Sequence, residues 1–90
     1  MSTMYVRHKV GDYTHWKTGY DALGPTRAAL GVTAASVHRD ISDPDTIIVT
    51  HRFGDTASML KFANSEELHS AMESAGVVGA PEIWFSEDIE

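Results

Sequence analysis

The chain has 90 residues, no cysteine and a formal charge of −6, from seven basic and thirteen acidic side chains. That length sets one domain, and burial of only about 60% of the unfolded surface leaves its core marginal, so oligomerisation is the expected further support. Scarce, scattered Lys and Arg exclude nucleic-acid binding, the lack of cysteine argues against a disulfide-stapled secreted module, and the lack of a signal peptide or a long apolar run points away from membranes and to a cytoplasmic location.

Residues 4–10 alternate, with Met4, Val6, His8 and Val10 on one face and Tyr5, Arg7 and Lys9 on the other, which predicts a strand. Gly11 breaks it and Asp12 is placed to cap a helix. Tyr13, Trp16, Tyr20, Leu23, Arg27 and Leu30 then recur at helical spacing, with Gly24-Pro25 predicting a kink or restart and Gly31 a C′ stop. A second strand is expected over 33–39, and Asp40-Ile41-Ser42-Asp43-Pro44-Asp45 carries turn chemistry. The third strand, over 46–53, is the most β-branched segment. Asp55 is read as a cap for a helix that breaks near Asn64-Ser65. Asn64 with Glu67 suggests a capping box that restarts a helix to about Ala75. Gly76 to Pro81 reads as a loop, Glu82 to Ser86 as the last strand, and Glu87 to Glu90 as an acidic solvated tail.

A repeat runs across this pattern. Val6-Arg7-His8-Lys9-Val10-Gly11-Asp12 returns as Val49-Thr50-His51-Arg52-Phe53-Gly54-Asp55, keeping Val, His, Gly and Asp. Two strand–helix–strand halves predict an α+β, ferredoxin-like βαββαβ sheet with helices on one face. Strands 1 and 3 are then the central neighbours, expected to run parallel with His8 and His51 near one level. Both histidines share parity with apolar residues, so both are expected under the helices. There Trp16 and Tyr20 would make an aromatic-lined space with two imidazoles as its floor, as small-molecule pockets are built. The competing reading is two packed structural histidines.

His8 and His51 are therefore the candidate acid–base or polarising groups. Trp16, Tyr20, Arg27, His38 and Trp84 are the candidate substrate-binding residues. Arg27 either runs its stem to solvent or holds an anion at the cavity mouth. His38 stands near the end of an edge strand, His15 on the flank of the first helix, and His69 on an exposed helix side. No third ligand joins the two histidines, so no metal site is assigned. No nucleophile elbow, nucleotide-binding loop or organic cofactor signature is present. The other sheet face, with Tyr5, Ile48 and Trp84 or Glu82, is not purely polar, and a second subunit is its simplest cover.

Asp12-Tyr13-Thr14-His15-Trp16-Lys17, Arg27 with Gly31, Asp43-Pro44-Asp45, Phe62-Ala63-Asn64-Ser65-Glu66-Glu67-Leu68, and Met72 through Ile83 carry a resemblance over nearly the whole chain. They resemble the dimeric α/β-barrel superfamily, in particular small antibiotic-biosynthesis monooxygenases and polyketide cyclase-like proteins. The resemblance implies a single dimeric α/β-barrel domain over 1–90 and a homodimer through sheet faces, with a small-molecule pocket in each subunit. It implies a cofactor-independent enzyme acting by proton transfer on an aromatic or polyketide-like molecule, as a cyclase, isomerase or monooxygenase. Superfamily members that degrade haem use a late-helix histidine facing the pocket, and His69 is expected to point away from it. A non-catalytic ligand-binding or structural homodimer is the alternative, because fold does not fix function.

Overall fold

Residues that alternate in the sequence form the sheet, and those that recur every three or four form the layer over it. A computed structural model describes residues 1–90. The elements are β1 (Ser2–Val10), α1 (Tyr13–Ala22), α2 (Gly24–Ala29), β2 (Val32–Arg39), β3 (Thr46–Phe53), α3 (Thr56–Ala63), α4 (Glu66–Ser74) and β4 (Val77–Glu87). The four strands make one antiparallel sheet in the order β2-β3-β1-β4. This is the ferredoxin-like arrangement that the two-half pattern predicts.

The expected parallel pairing of β1 and β3 is wrong. They are adjacent and central, but antiparallel, with Val6 opposite Val49, His8 opposite Ile47 and Met4 opposite His51. A strand–helix–strand unit leaves a slot between its two parallel strands, and β3, which follows β2 as a hairpin, fills that slot running the other way. The repeat thus becomes a pseudo-twofold axis through the Val6–Val49 pair. It separates the histidines instead of aligning them: His51 stands four positions along β3, about 13 Å of strand, from Ile47, the residue facing His8.

Local chemistry starts and stops the helices. Asp12 Oδ1 accepts from Thr14 N at 3.1 Å, and Asp55 Oδ1 accepts from Ser58 N at 2.7 Å. The Gly24-Pro25 break is real: Leu23 is at once the C-cap of α1 and the N-cap of α2, and the proline sits in the first turn where no N–H is needed. Gly31, at φ 101°, closes α2 in the left-handed conformation that a C′ residue requires.

Two boundaries differ from the sequence reading. The cap of α4 is Ser65, whose Oγ accepts from Leu68 N at 3.3 Å, while Asn64 ends α3 and donates its amide to Leu60 O. The segment read as a loop from Gly76 belongs largely to β4, which pairs with β1 from Val77 onward. A bulge takes up the Gly and Pro: Arg7 faces Glu82 while Lys9 faces Val78, so β4 carries two extra residues there. Pro81 is tolerated because β4 is an edge strand.

The core lies between the sheet and the helices in two clusters. One holds Met4, Val6, Phe53, Met59, Phe62 and Leu68, and the other Val10, Trp16, Ile47, Val49 and Ala75. The acidic tail is partly tied down, since Asp88 pairs with Arg52 at 2.6 Å and its N–H donates to Met1 O.

Candidate functional site

The alternation that buries Val6 and Val49 also buries His8 and His51, which are 6% and 4% exposed. Both point under the helical layer. From α1 come Trp16 and Tyr20, from α2 Arg27, and from α3 and α4 Phe62, Leu68 and Met72. These side chains enclose a mostly apolar cavity of about 50 Å³, with both histidines on its wall. Trp16 stacks on Tyr20 at 5.1 Å between ring centroids and stands 5.6 Å from the His8 ring, while Phe62 lies 5.2 Å from the His51 ring. That volume is the size of a few water molecules.

Both nitrogens of His8 and Nδ1 of His51 are buried without a hydrogen-bond partner. Buried polar groups are nearly always satisfied, and leaving one unmade costs about 1–3 kcal/mol. A neutral imidazole offers one donor and one acceptor, so this wall presents unused capacity of both kinds. Burial pushes the proton affinity of His8 down. His51 is pushed down to about 4, first by burial, then by the Arg27 guanidinium and by His8. Both rings are therefore neutral at pH 7.

Arg27 does not run its stem outward to solvent. Its guanidinium folds back over the Tyr20 ring, 3.7 Å from ring centroid to Cζ, and Nη1 donates to Tyr20 O at 2.6 Å. That carbonyl belongs to the last turn of α1, where it also accepts from Leu23 N at 3.2 Å. The half-buried cation has no carboxylate partner: the ion pairs of the molecule use Arg7, Lys9, Lys17 and Arg52.

Two of the substrate-binding candidates stand elsewhere. Trp84 is opposite Tyr5 on the outer face, stacked on it at 5.3 Å, and His38 is opposite Ile48 on the same outer face, bonded to Ser36 Oγ at 2.8 Å. Neither lines the cavity, and the sheet separates both from it. His15 is exposed and bonds Ser74 O, tying α1 to the end of α4. His69 is exposed and bonds Ala63 O. It borders a separate groove between α4 and β4, away from the two buried histidines. No three metal-ligating side chains converge anywhere in the molecule.

Sequence reasoning named none of Phe62, Leu68 or Met72 as wall residues. Their helical spacing was the available signal, for it puts Leu68 and Met72 one turn apart on the buried side of α4.

Searches for a matching family model and for a similar curated protein found none. Solved structures do match over the whole length. A provisionally assigned antibiotic biosynthesis monooxygenase from Bordetella bronchiseptica is 13% identical, with 99% of this chain and 97% of that one covered at a TM-score of 0.80. SnoaB, a cofactor-independent oxygenase from Streptomyces nogalater, is 10% identical, with 99% and 93% covered at 0.78. NE2512 of Nitrosomonas europaea, a protein of unknown function, is 20% identical, with 99% and 89% covered at 0.78. The chain shares the ferredoxin-like fold of antibiotic biosynthesis monooxygenase structures, and at these identities the likeness extends to the fold alone.

Proposed function

We propose that this protein is a small-molecule enzyme acting by proton transfer on an aromatic or polyketide-like substrate, in the cavity between sheet and helices. The observation that carries the reading is the set of three unpartnered imidazole nitrogens on an apolar, aromatic wall. A folded chain of this size rarely leaves three such atoms dry unless a ligand meets them. Cyclisation, isomerisation and cofactor-free oxygenation all begin by taking a proton from an acidic C–H or O–H, and neutral imidazole is a base for that step. The oxygenase activity ascribed to SnoaB, on the same fold, makes this range of reactions a reasonable one.

The two histidines divide the work in this reading. His8 is lowered by burial only, and is the better base. His51 is lowered further, to about 4, so it holds its neutral form and serves to hydrogen-bond a carbonyl or developing oxyanion. Trp16 and Tyr20 orient the ring. The reaction asks no metal or organic cofactor of the site.

The test is turnover of a panel of polyphenols and polyketide-derived aromatics, read by oxygen uptake and product chromatography. Replacing the base, His8→Ala, is expected to lower kcat about 100-fold or more. Unchanged rates in both His8→Ala and His51→Ala variants would sink the proposal. The volume of about 50 Å³ favours one other reading, a ligand-binding or structural dimer whose space its own side chains nearly fill. Binding without turnover across the panel would select it.

The same proposal includes a homodimer through the outer sheet faces and a cytoplasmic location. Trp84 is 43% exposed and stacked on Tyr5, on a face where Tyr5 stands across from Thr50 and Ile48 across from Arg7, and no element of the chain covers this aromatic pair. No helix is long and apolar enough to cross a membrane. Sedimentation at micromolar concentration is expected to give twice the 9.9 kDa mass, and Trp84→Glu to give the monomer.

A further inference from the structure

We infer that the cavity takes an aromatic carboxylate, and that Arg27 is the residue that selects the anion. The inference rests on the cavity being a small-molecule site, and adds the charge and chemical class of what enters it. Arg27 lines the cavity and is half-buried, and no Asp or Glu pairs with it. Guanidinium has five N–H donors in a planar fork. One goes to the Tyr20 carbonyl, and the rest have no protein acceptor.

The surroundings make that cation unusual. The chain carries thirteen acidic side chains and a net charge of −6, yet no acidic residue lines the cavity. The site is a local positive spot in a negative molecule. An arginine needed only as a stem running to water would extend outward; this one is held inward by a carbonyl bond and by the Tyr20 face at 3.7 Å. Holding the guanidinium in one place lowers the ordering cost of a second interaction. Its planar fork matches a carboxylate through two parallel N–H···O bonds, which a lone oxyanion cannot reproduce.

The rest of the cavity sets the body of the ligand. With the carboxylate on Arg27, a flat ring lies against Trp16 and Tyr20, and a hydroxyl or carbonyl on that ring reaches an unpartnered nitrogen of His8, beside Trp16. At about 50 Å³ the enclosed space is smaller than a ring needs, so a single-ring body, the smallest of this class, enters only as the helical wall moves outward.

Salicylate and its neutral isostere salicylamide separate the possibilities, with binding measured by calorimetry and by the shift of the Trp16 indole N–H resonance. The protein is expected to bind salicylate about 10- to 100-fold tighter than salicylamide, the gain of a charge-assisted contact. Arg27→Met, which keeps an apolar stem, is expected to erase that preference by weakening salicylate far more than salicylamide. Arg27→Lys is expected to keep part of it, and serves if the methionine variant does not fold. Equal affinity for the two probes, or a preference that survives in Arg27→Met, would overturn the anion assignment while leaving the cavity as a binding site. Binding of neither probe would overturn both the assignment and the site.

Discussion

The two halves of the chain follow one plan and differ where each breaks its helix. In the first half α1 stops at Leu23, the break is made by Gly24-Pro25, and the carbonyl of Tyr20, which accepts from Leu23 N at 3.2 Å, takes a second bond from a charged side chain, Arg27, at 2.6 Å. In the second half α3 stops at Asn64, and Phe62 O, a carbonyl of its last turn, accepts from Ser65 N at 3.0 Å and from the Ser65 hydroxyl at 2.7 Å. A neutral hydroxyl is thus sufficient for the capping task. The positive charge in the first half is surplus to folding, and it stands beside a cavity that holds two neutral histidines. The same contrast separates the histidines: His51 feels the Arg27 charge, and His8 is lowered by burial alone.

The largest test of the shared plan is at its strand ends. Val10 and Phe53 are repeat partners, and both are buried. Phe53 is fully enclosed at the centre of its cluster, so Phe53→Ala is expected to cost about 4 kcal/mol. Val10→Ala removes less surface and is expected to cost roughly 2 kcal/mol. Urea unfolding measures both, and equal losses would mean that the two ends are packed alike.

Acid sharpens the contrast between the histidines. A histidine whose folded affinity for protons is lowered is neutral in both states above its unfolded value of about 6.5, and contributes nothing to pH dependence there. As pH falls from 6.5 towards 4, the unfolded chain takes up the proton and the folded one resists, so stability drops. For His51, lowered to about 4, the full loss is about 3 kcal/mol. The four aspartates held below their ordinary value, Asp40, Asp43, Asp55 and Asp88, act only at still lower pH. Thermal unfolding from pH 7 to 4.5 is expected to show a steep decline in the native chain and a shallower one in His51→Leu. A parallel decline in the two proteins would mean that His51 is not the group that resists protonation.

At neutral pH the same residues are expected to reveal their cost to the fold. Replacing an unsatisfied buried polar group by an apolar one of similar size removes its desolvation penalty. His8→Leu, which relieves two unpartnered nitrogens, is expected to stabilise by about 1 kcal/mol or more, and His51→Leu by somewhat less. Both changes are expected to abolish turnover, since stability and activity oppose each other where a site keeps strained or unsatisfied groups. Destabilisation by either change would support a structural role for that ring.

Much of the frame was legible because local rules agreed with the fold. Asp12 and Asp55 cap as their position before a periodic run suggests, Pro25 breaks the helix, Gly31 ends it, and β3 spans Thr46 to Phe53 as read. The start of β4 was hidden because Gly79 and Pro81 carry turn chemistry, and only the long-range pairing with β1 shows that a bulge absorbs them. Strand direction follows from the handedness of the crossover and the hairpin, not from the repeat, so the repeat alone misplaced His51 relative to His8. Alternation in the sequence puts His38 on the face away from Val37 and Trp84 on the face away from Phe85, so their place outside the cavity is legible without the structure. No sequence pattern reports that an imidazole lacks a partner or that an arginine turns back on a carbonyl, because both depend on which neighbours packing brings close.

The smallest expected effect separates the two residues between α3 and α4. Asn64-x-x-Glu67 has the form of a capping box, and Ser65 has only its hydroxyl. Extended backbone at Ser65, φ −75° and ψ 146°, lets its Oγ face the free N–H of Leu68, whereas Asn64, at φ −97° and ψ 6°, still continues the turn of α3. The dihedrals decide between them, since an N-cap needs the non-helical conformation. Ser65 also returns its proton to Phe62 O, so one hydroxyl serves the end of one helix and the start of the next. Ser65→Ala is therefore expected to cost about 1 kcal/mol, and Asn64→Ala, which loses a bond to Leu60 O on the exposed side, a few tenths of that. Because Phe62 forms part of the cavity wall, Ser65→Ala is also expected to loosen the wall around His51 and leave the Arg27 side unmoved, which amide exchange of α4 and of α2 reads separately. Equal acceleration in α2 and α4 would mean that the two breaks are mechanically one, and that the halves differ in chemistry alone.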